Sequence, residues 1–343
     1  EKVENPTLYF QNLLANNTFG LDTTNLTDVN GTFPPEDPNS TLALSAVKVP
    51  DLEGEGYRFD SNKTQRINMD VMKITIEYRV RDGWDNFSDY YDVQLKTHTA
   101  RQLEAQGVLM QKVDLAEDDL IQLWPKDLDF LFHFAAQPGI SQSSIFKSYL
   151  RNNVLATQNL MNVIHRRSKP PYVVNIATSS VYGLVATKDE NSAPEPASWY
   201  GVTKLAAEQL VMAYVRRGYF SGTSLRLYSV YGPRERPDKL YTRLIDCGLN
   251  QKEFTLYQGS EQHRRSFTYV GDIVSGIVAV MQHHKKCSGE IINLGSDQEY
   301  STAQGIETVE RLLGGAIKKT ISPPRPGDQD RTMAVIDKAR ALL

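Results

Sequence analysis

The chain has 343 residues, a net charge of −3, 40% hydrophobic residues and 23% charged ones. That balance is ordinary for a folded globular protein and excludes a nucleic-acid surface as its main business. Cys247 and Cys287 lack metal-ligand spacing, and neither an 18-residue apolar run nor a charged-then-apolar leader occurs. The expectation is a cytoplasmic chain with reduced thiols, no metal and no membrane partner.

Residues 1–75 read as an atypical N-terminal segment. They are rich in Asn, Thr, Asp and Pro, as in Leu21-Asp22-Thr23-Thr24-Asn25-Leu26-Thr27 and Phe33-Pro34-Pro35-Glu36-Asp37-Pro38. That is loop and edge-strand chemistry. Five Asn-x-Ser/Thr sequons start at Asn16, Asn25, Asn30, Asn39 and Asn62. In a cytoplasmic protein they carry no glycan. Strand-like alternation returns over Val71–Val80.

From there strands alternate with helices. Gly83-Trp84-Asp85 ends one strand, and Val93–Gln106 reads as a helix. Val108–Leu115 is a second strand, with Asp114 near its end. Leu128–Ala136 is a short apolar strand running into Ala135 and Ala136. Ser148–His165 has helical spacing, Tyr172–Ala177 is a buried strand ending at Thr178, and Thr223–Leu227 is another before Tyr228. The pattern predicts an α/β fold built on a parallel sheet covered on both faces. Ligands of such sheets bind at the C-terminal strand ends. Asp85, Asp114, Ala135-Ala136, Thr178 and Tyr228 all fall there.

Tyr200 and Lys204 stand four apart on a predicted amphipathic helix, so they share a face. An ammonium beside a phenol favours phenolate and lowers the Tyr pKa towards neutrality. A phenolate is the base needed to take a proton from a sugar hydroxyl. The Thr178 hydroxyl is placed to hold the reacting oxygen. His133 reads as packing beneath a ligand, and His263, His283 and His284 as surface residues.

These stretches resemble the extended short-chain dehydrogenase/reductase family, in particular nucleotide-sugar epimerases of the UDP-glucuronate 4-epimerase type. The resemblance runs over about residues 80–340 and is carried, in order, by a series of motifs. Asp85-Asn86-Phe87-Ser88-Asp89-Tyr90-Tyr91-Asp92, Asp114-Leu115, His133–Gly139 and Asn153 come first. Thr178–Gly183, Tyr200 with Lys204, and Arg226–Pro233 with Arg236-Pro237-Asp238 follow. Arg264–Thr268 and Arg325–Asp328 complete it.

The resemblance implies a Rossmann-like doubly wound parallel sheet with a smaller C-terminal substrate domain. The implied division is 1–75 atypical N-terminal segment, 76–228 dinucleotide-binding domain and 229–343 mostly substrate-binding domain. It also implies NAD as cofactor and a UDP-sugar as substrate. Asp85, with Asn86, would bond the adenosine ribose, where a carboxylate repels the extra phosphate of NADP. Asp114 and Leu115 would flank adenine, and Ala135 and Ala136 would let the backbone approach the cofactor. Tyr200 would be the base, Lys204 its modulator and ribose anchor, and Thr178 the orienting hydroxyl. Arg265 and Arg325 would face the diphosphate, and Asp328 the nucleoside ribose. Asn153, Ser179, Ser180 and Ser229 would line the sugar pocket. A homodimer through the Asn152–Ile164 and Lys204–Val215 helices is also implied.

The implied activity is epimerisation at C4, UDP-glucuronate to UDP-galacturonate, through a 4-keto intermediate. Decarboxylation or dehydration is the alternative chemistry. Against both stands a departure: the family's glycine-rich turn before the Asp85 position is missing, since Gly20, Gly31, Gly54 and Gly56 lack its spacing. Either the first strand–helix–strand unit is built unusually or it is missing, and if it is missing the pyrophosphate has no cradle and the sheet no central strand. A catalytically silent nucleotide-sugar-binding protein is the rival expectation from another class.

Overall fold

The computed structural model describes residues 18–28, 74–125, 128–139, 144–324 and 327–343, with side chains from Asp82 onward. The sequons at Asn16, Asn30, Asn39 and Asn62 lie outside these residues. Seven strands form the main sheet: β1 (Thr18–Asp28), β2 (Ile74–Asp85), β3 (Leu109–Lys112), β4 (Phe130–His133), β5 (Tyr172–Thr178), β6 (Gly222–Leu227) and β7 (Ile291–Leu294). Their spatial order is β7-β6-β5-β4-β1-β2-β3. Each neighbouring pair is parallel except the two that involve β1.

The central slot is therefore not empty, which corrects the expectation of a missing strand. β1 lies between β2 and β4 and runs antiparallel to both, with Thr18 opposite Trp84 on one side and His133 on the other. The physical demand is plain. Two facing strand edges present rows of N–H and C=O groups that must be paired when buried. A Thr/Leu/Phe-bearing segment supplies the pairs even without the family's strand–turn–helix opening. Its register slips after Gly20 and again after Asp22.

Alternation along the strands makes two cores. Phe130, Phe132, Tyr172, Val174 and Ile176 point to one face. There they meet helix α1 (Val93–Glu104) through Leu103 and helix α4 (Val270–Gln282) through Ile273, Val274 and Ile277. Leu131 and Val173 point to the other face. They meet Leu160, Met161 and Ile164 of α2 (Ala156–Ile164) and Val211 of α3 (Trp199–Arg216). Burying each of these large side chains contributes about 1.5–3 kcal/mol.

Residues after 228 serve both layers. β7 and α4 complete the large sheet. A smaller body forms around the parallel pair Phe254–Tyr257 and Lys319–Ser322, with a helix at Leu240–Leu249 and another at Thr302–Leu313. Among the described residues no helix is long and apolar enough to cross a membrane. No group of three His, Cys, Asp or Glu among them could hold a metal ion.

Candidate active site

Thr178 is the last residue of β5, and its Oγ1 accepts from the Ser180 N–H at 3.1 Å. That bond starts a single 3-10 turn, Ser179–Tyr182, whose four residues are all buried. The turn leaves through Gly183 at φ +89°, where a Cβ would meet the Glu195 carbonyl oxygen at 2.4 Å. Helix α3 then packs directly on the turn. A Cβ at Gly201 would stand 2.6 Å from the Ser180 carbonyl oxygen, so only glycine allows that approach. The approach brings Tyr200 to Thr178, whose side chain hydrogen-bonds the phenol.

Lys204 lies one turn further along α3, as the spacing predicts. Its Nζ donates to the Ile176 carbonyl at 2.5 Å. Burial lowers its pKa to about 8, opposed by the Glu208 carboxylate one more turn along. The Tyr200 pKa is raised rather than lowered. Burial is the cause, only partly offset by the Thr178 hydrogen bond and the Arg236 charge. The expected lowering is thus corrected: burial of the phenol outweighs it, and the Lys204 ammonium lies against the Ile176 carbonyl. His133 is fully buried at this strand end and bonds Thr157 at 2.8 Å. Burial and the Lys204 charge push its pKa down to about 3, so it stays neutral.

A cavity of about 450 Å³ opens in front of these groups. Thr178, Ser179, Ser180, Tyr200, Lys204, Ser229, Arg265 and Asp328 all stand in its wall. Arg265 meets Asp328 at 3.5 Å. A second, smaller hollow adjoins it, sharing the walls Ala136 and Pro138. Asp85, Asn86, Asp114, Leu115, Ala135 and Ala136 line this one. Asp85 accepts from the Phe87 N–H at 2.6 Å, and Asn86 donates to Asp114 at 3.2 Å. Burial works to raise the Asp114 pKa, but bonds from Ala116, Arg151 and Asn86 outweigh it and hold it low. Asp114 also accepts from the Ala116 N–H at 2.9 Å, as a turn-capping residue would.

Two candidates fall elsewhere. Asn153 is buried away from the cavity. Its Oδ1 accepts from the Gln137 N–H at 2.6 Å and its Nδ2 donates to Thr203 at 3.0 Å. It ties the loop after β4 to α3. Arg325 lies outside the described residues. His263, read from sequence as a surface residue, instead lines the cavity, 3.6 Å from Asp330. Arg236, Lys239 and Tyr241 line it too. Arg236 was visible in the sequence only as part of a motif, and nothing in the spacing of Lys239 marks it.

The hollow offers a carboxylate for a ribose diol and small residues for close backbone approach, and it shares Ala136 and Pro138 with the cavity that Tyr200 lines. These fit the two ribose ends of a dinucleotide. Among the described residues no glycine-rich turn opens a helix beside β4, so nothing there cradles a pyrophosphate.

A parallel sheet wrapped by helices, with its chemical side chains gathered at the C-terminal strand ends, defines a nucleotide-binding Rossmann-like domain. The chain belongs to the NAD dependent epimerase/dehydratase family, whose model matches residues 85–295. It is 37% identical over 235 residues to the uncharacterized UDP-glucose epimerase YtcB of Bacillus subtilis (strain 168), covering 68% of this chain and 73% of that one. It is 33% identical over 277 residues to UDP-glucuronate 4-epimerase 6 of Arabidopsis thaliana, covering 75% of this chain. The chain spans 60% of that plant protein's length. Among solved structures it resembles the UDP-glucuronic acid 4-epimerase of Bacillus cereus in complex with UDP-glucuronic acid and NAD. There the TM-score is 0.72 and the identity 35%, covering 76% of this chain and 84% of that one.

Proposed function

We propose that this chain is an NAD-dependent UDP-sugar 4-epimerase that interconverts UDP-glucuronate and UDP-galacturonate. The observation that carries the proposal is the assembly of Thr178, Tyr200 and Lys204 at one end of β5, facing a cavity large enough for a nucleotide sugar. The B. cereus structure, which holds UDP-glucuronic acid and NAD, supports the ligand assignment. Residues 76–228 carry the cofactor and residues 229–343 most of the substrate.

Asp85 would hold the adenosine ribose of NAD and Lys204 its nicotinamide ribose. NAD, when bound, would supply the hydride acceptor and donor for C4. Tyr200, as phenolate, takes the C4 hydroxyl proton, and as phenol it later returns one to the re-reduced oxygen. Thr178 fixes the C4 oxygen against the phenol. The 4-keto sugar turns in the cavity before reduction on its other face. The wall next to Thr178 holds Ser179 and Ser180, both buried hydroxyls. Neither can remove a C5 proton or protonate a leaving hydroxyl, which sets elimination aside. A 4-keto uronate is a β-keto acid, so its carboxylate must be held out of line with the carbonyl π-system. Small hydroxyl donors do this without adding charge.

Incubation of the protein with UDP-glucuronate and added NAD, followed by chromatography of the nucleotide sugars, tests the proposal. UDP-galacturonate is the expected product. A UDP-pentose or a stable 4-keto-6-deoxy sugar as main product would overturn it. No turnover would favour the silent-binder alternative, which the missing glycine turn supports.

A further inference from the structure

Arg236, Lys239 and Arg265 are three of the six Lys and Arg side chains in the wall of the large cavity. Two are already engaged. Arg236 makes a bidentate pair with Asp238, at 3.0 Å from each nitrogen used. Arg265 faces Asp328 at 3.5 Å. Lys239 differs, because among the described residues its ammonium has neither a hydrogen bond nor an ion pair. The nearest anion it feels, Glu235, is occupied in accepting from both the backbone N–H and the hydroxyl of Thr242, at 3.2 and 3.1 Å. The side chain is half-buried in the cavity wall, and burial lowers its pKa. A half-buried ammonium in a cavity wall with no protein partner is available to an anionic group of a ligand.

Its position indicates which ligand group. Lys239 feels the charge of Arg236, which in turn acts on the Tyr200 phenol. It also feels Arg265, the partner of Asp328. It therefore belongs to the same cavity wall as Tyr200, Arg236 and the Arg265–Asp328 pair. In a UDP-sugar the group between the sugar and the nucleoside is the diphosphate. Lys239 is also the residue immediately before the helix at Leu240–Leu249, so its backbone is fixed by that helix.

We propose that Lys239 is a specificity residue that binds the sugar-side, β-phosphate of the nucleotide sugar, as a three-donor point charge. The proposal rests on the reading of the cavity as a UDP-sugar site. It assigns Lys239 to recognition and leaves the proton chemistry to Tyr200.

Calorimetric titration of the full chain and its Lys239→Met variant with UDP, UMP and UDP-glucuronate tests it. UDP has the β-phosphate and UMP lacks it. Replacing the ammonium with a side chain of similar length should weaken UDP and UDP-glucuronate binding alike, by about 10- to 100-fold, the range of a hydrogen bond to a charged group. UMP affinity should be unchanged, which also shows that the variant is folded with its nucleoside site intact. Undiminished UDP binding by the variant would overturn the assignment. So would a loss confined to UDP-glucuronate, which would place Lys239 on the sugar carboxylate. A variant that loses UMP as well would equally overturn it. If the unmodified chain binds none of the three, the UDP-sugar reading itself fails and takes this proposal with it.

Discussion

At the scale of single residues, Tyr200 and Lys204 are placed where their spacing predicts, but their charges are set by burial. The phenol is raised above its ordinary value and the ammonium lowered to about 8. The signs combine simply. An acid with a raised pKa ionises later as pH climbs, while an amine with a lowered pKa loses its charge earlier. The phenolate–ammonium state that takes the substrate proton is then most populated on the alkaline side, between the lowered Lys204 value and the raised Tyr200 value. The turnover rate should rise from pH 6 through 8 and reach its maximum above 8, measured as kcat against pH. An optimum at pH 6 would contradict this balance. Tyr200→Phe should lower turnover about a hundredfold or more while leaving UDP binding almost unchanged. An active Phe variant would show that the base is another group.

The residue types were legible because the chemistry is local: a hydroxyl at a strand end, and a Tyr and Lys one helical turn apart. What sequence could not give is the direction of each pKa. That depends on how deeply the helix sinks onto the strand end, which is a tertiary quantity. Asn153 was misplaced for a related reason. Its chemistry suits a sugar pocket, but its position on the inner face of a helix turns it to Gln137 and Thr203. Lys239 and His263 went unread because nothing in their neighbours along the chain announces a cavity.

At the scale of elements, the site depends on one close contact, between the turn Ser179–Tyr182 and the start of α3. Gly201→Ala places a methyl 2.6 Å from the Ser180 carbonyl oxygen, so one element must retreat. The expected cost is about 1–3 kcal/mol of stability, typical of overpacking. Turnover should fall as well, since the same shift separates Tyr200 from Thr178. A denaturation midpoint and a rate equal to those of the unmodified chain would show the contact to be slack. The strands and helices after residue 79 were readable from alternation and period, because each has one face buried. The opening of the sheet was not, because the pairing of β1 is decided by which edges are vacant, not by its own sequence. That element also sets an expectation for the cofactor. With no glycine turn among the described residues, NAD should bind in the micromolar range or weaker by calorimetry. Sub-micromolar affinity would reveal a phosphate cradle built from other residues.

At the scale of the whole molecule, the outer faces of the Phe146–Ile164 helical stretch and of α3 carry Phe146, Leu150, Leu155, Trp199 and Val202 in exposed positions. Trp199 and Phe146 contact each other edge-on at 5.4 Å. Exposed apolar side chains on two neighbouring helices suit an association surface. We propose a homodimer through these two helices, as the resemblance to epimerases implies. Sedimentation should give a dimer at micromolar concentration, and Leu155→Asp should shift it to monomer. A monomer from the unmodified chain would remove the proposal.

The account turns on oxidation and re-reduction at one carbon within one cavity. Incubating the protein and NAD with UDP-glucuronate deuterated at C4, then locating the label in the product by NMR, tests this most directly. The expected result is UDP-galacturonate that keeps its deuterium at C4, because the hydride returns to the carbon it left. Unlabelled UDP-galacturonate, a UDP-pentose, or recovery of substrate alone would contradict it.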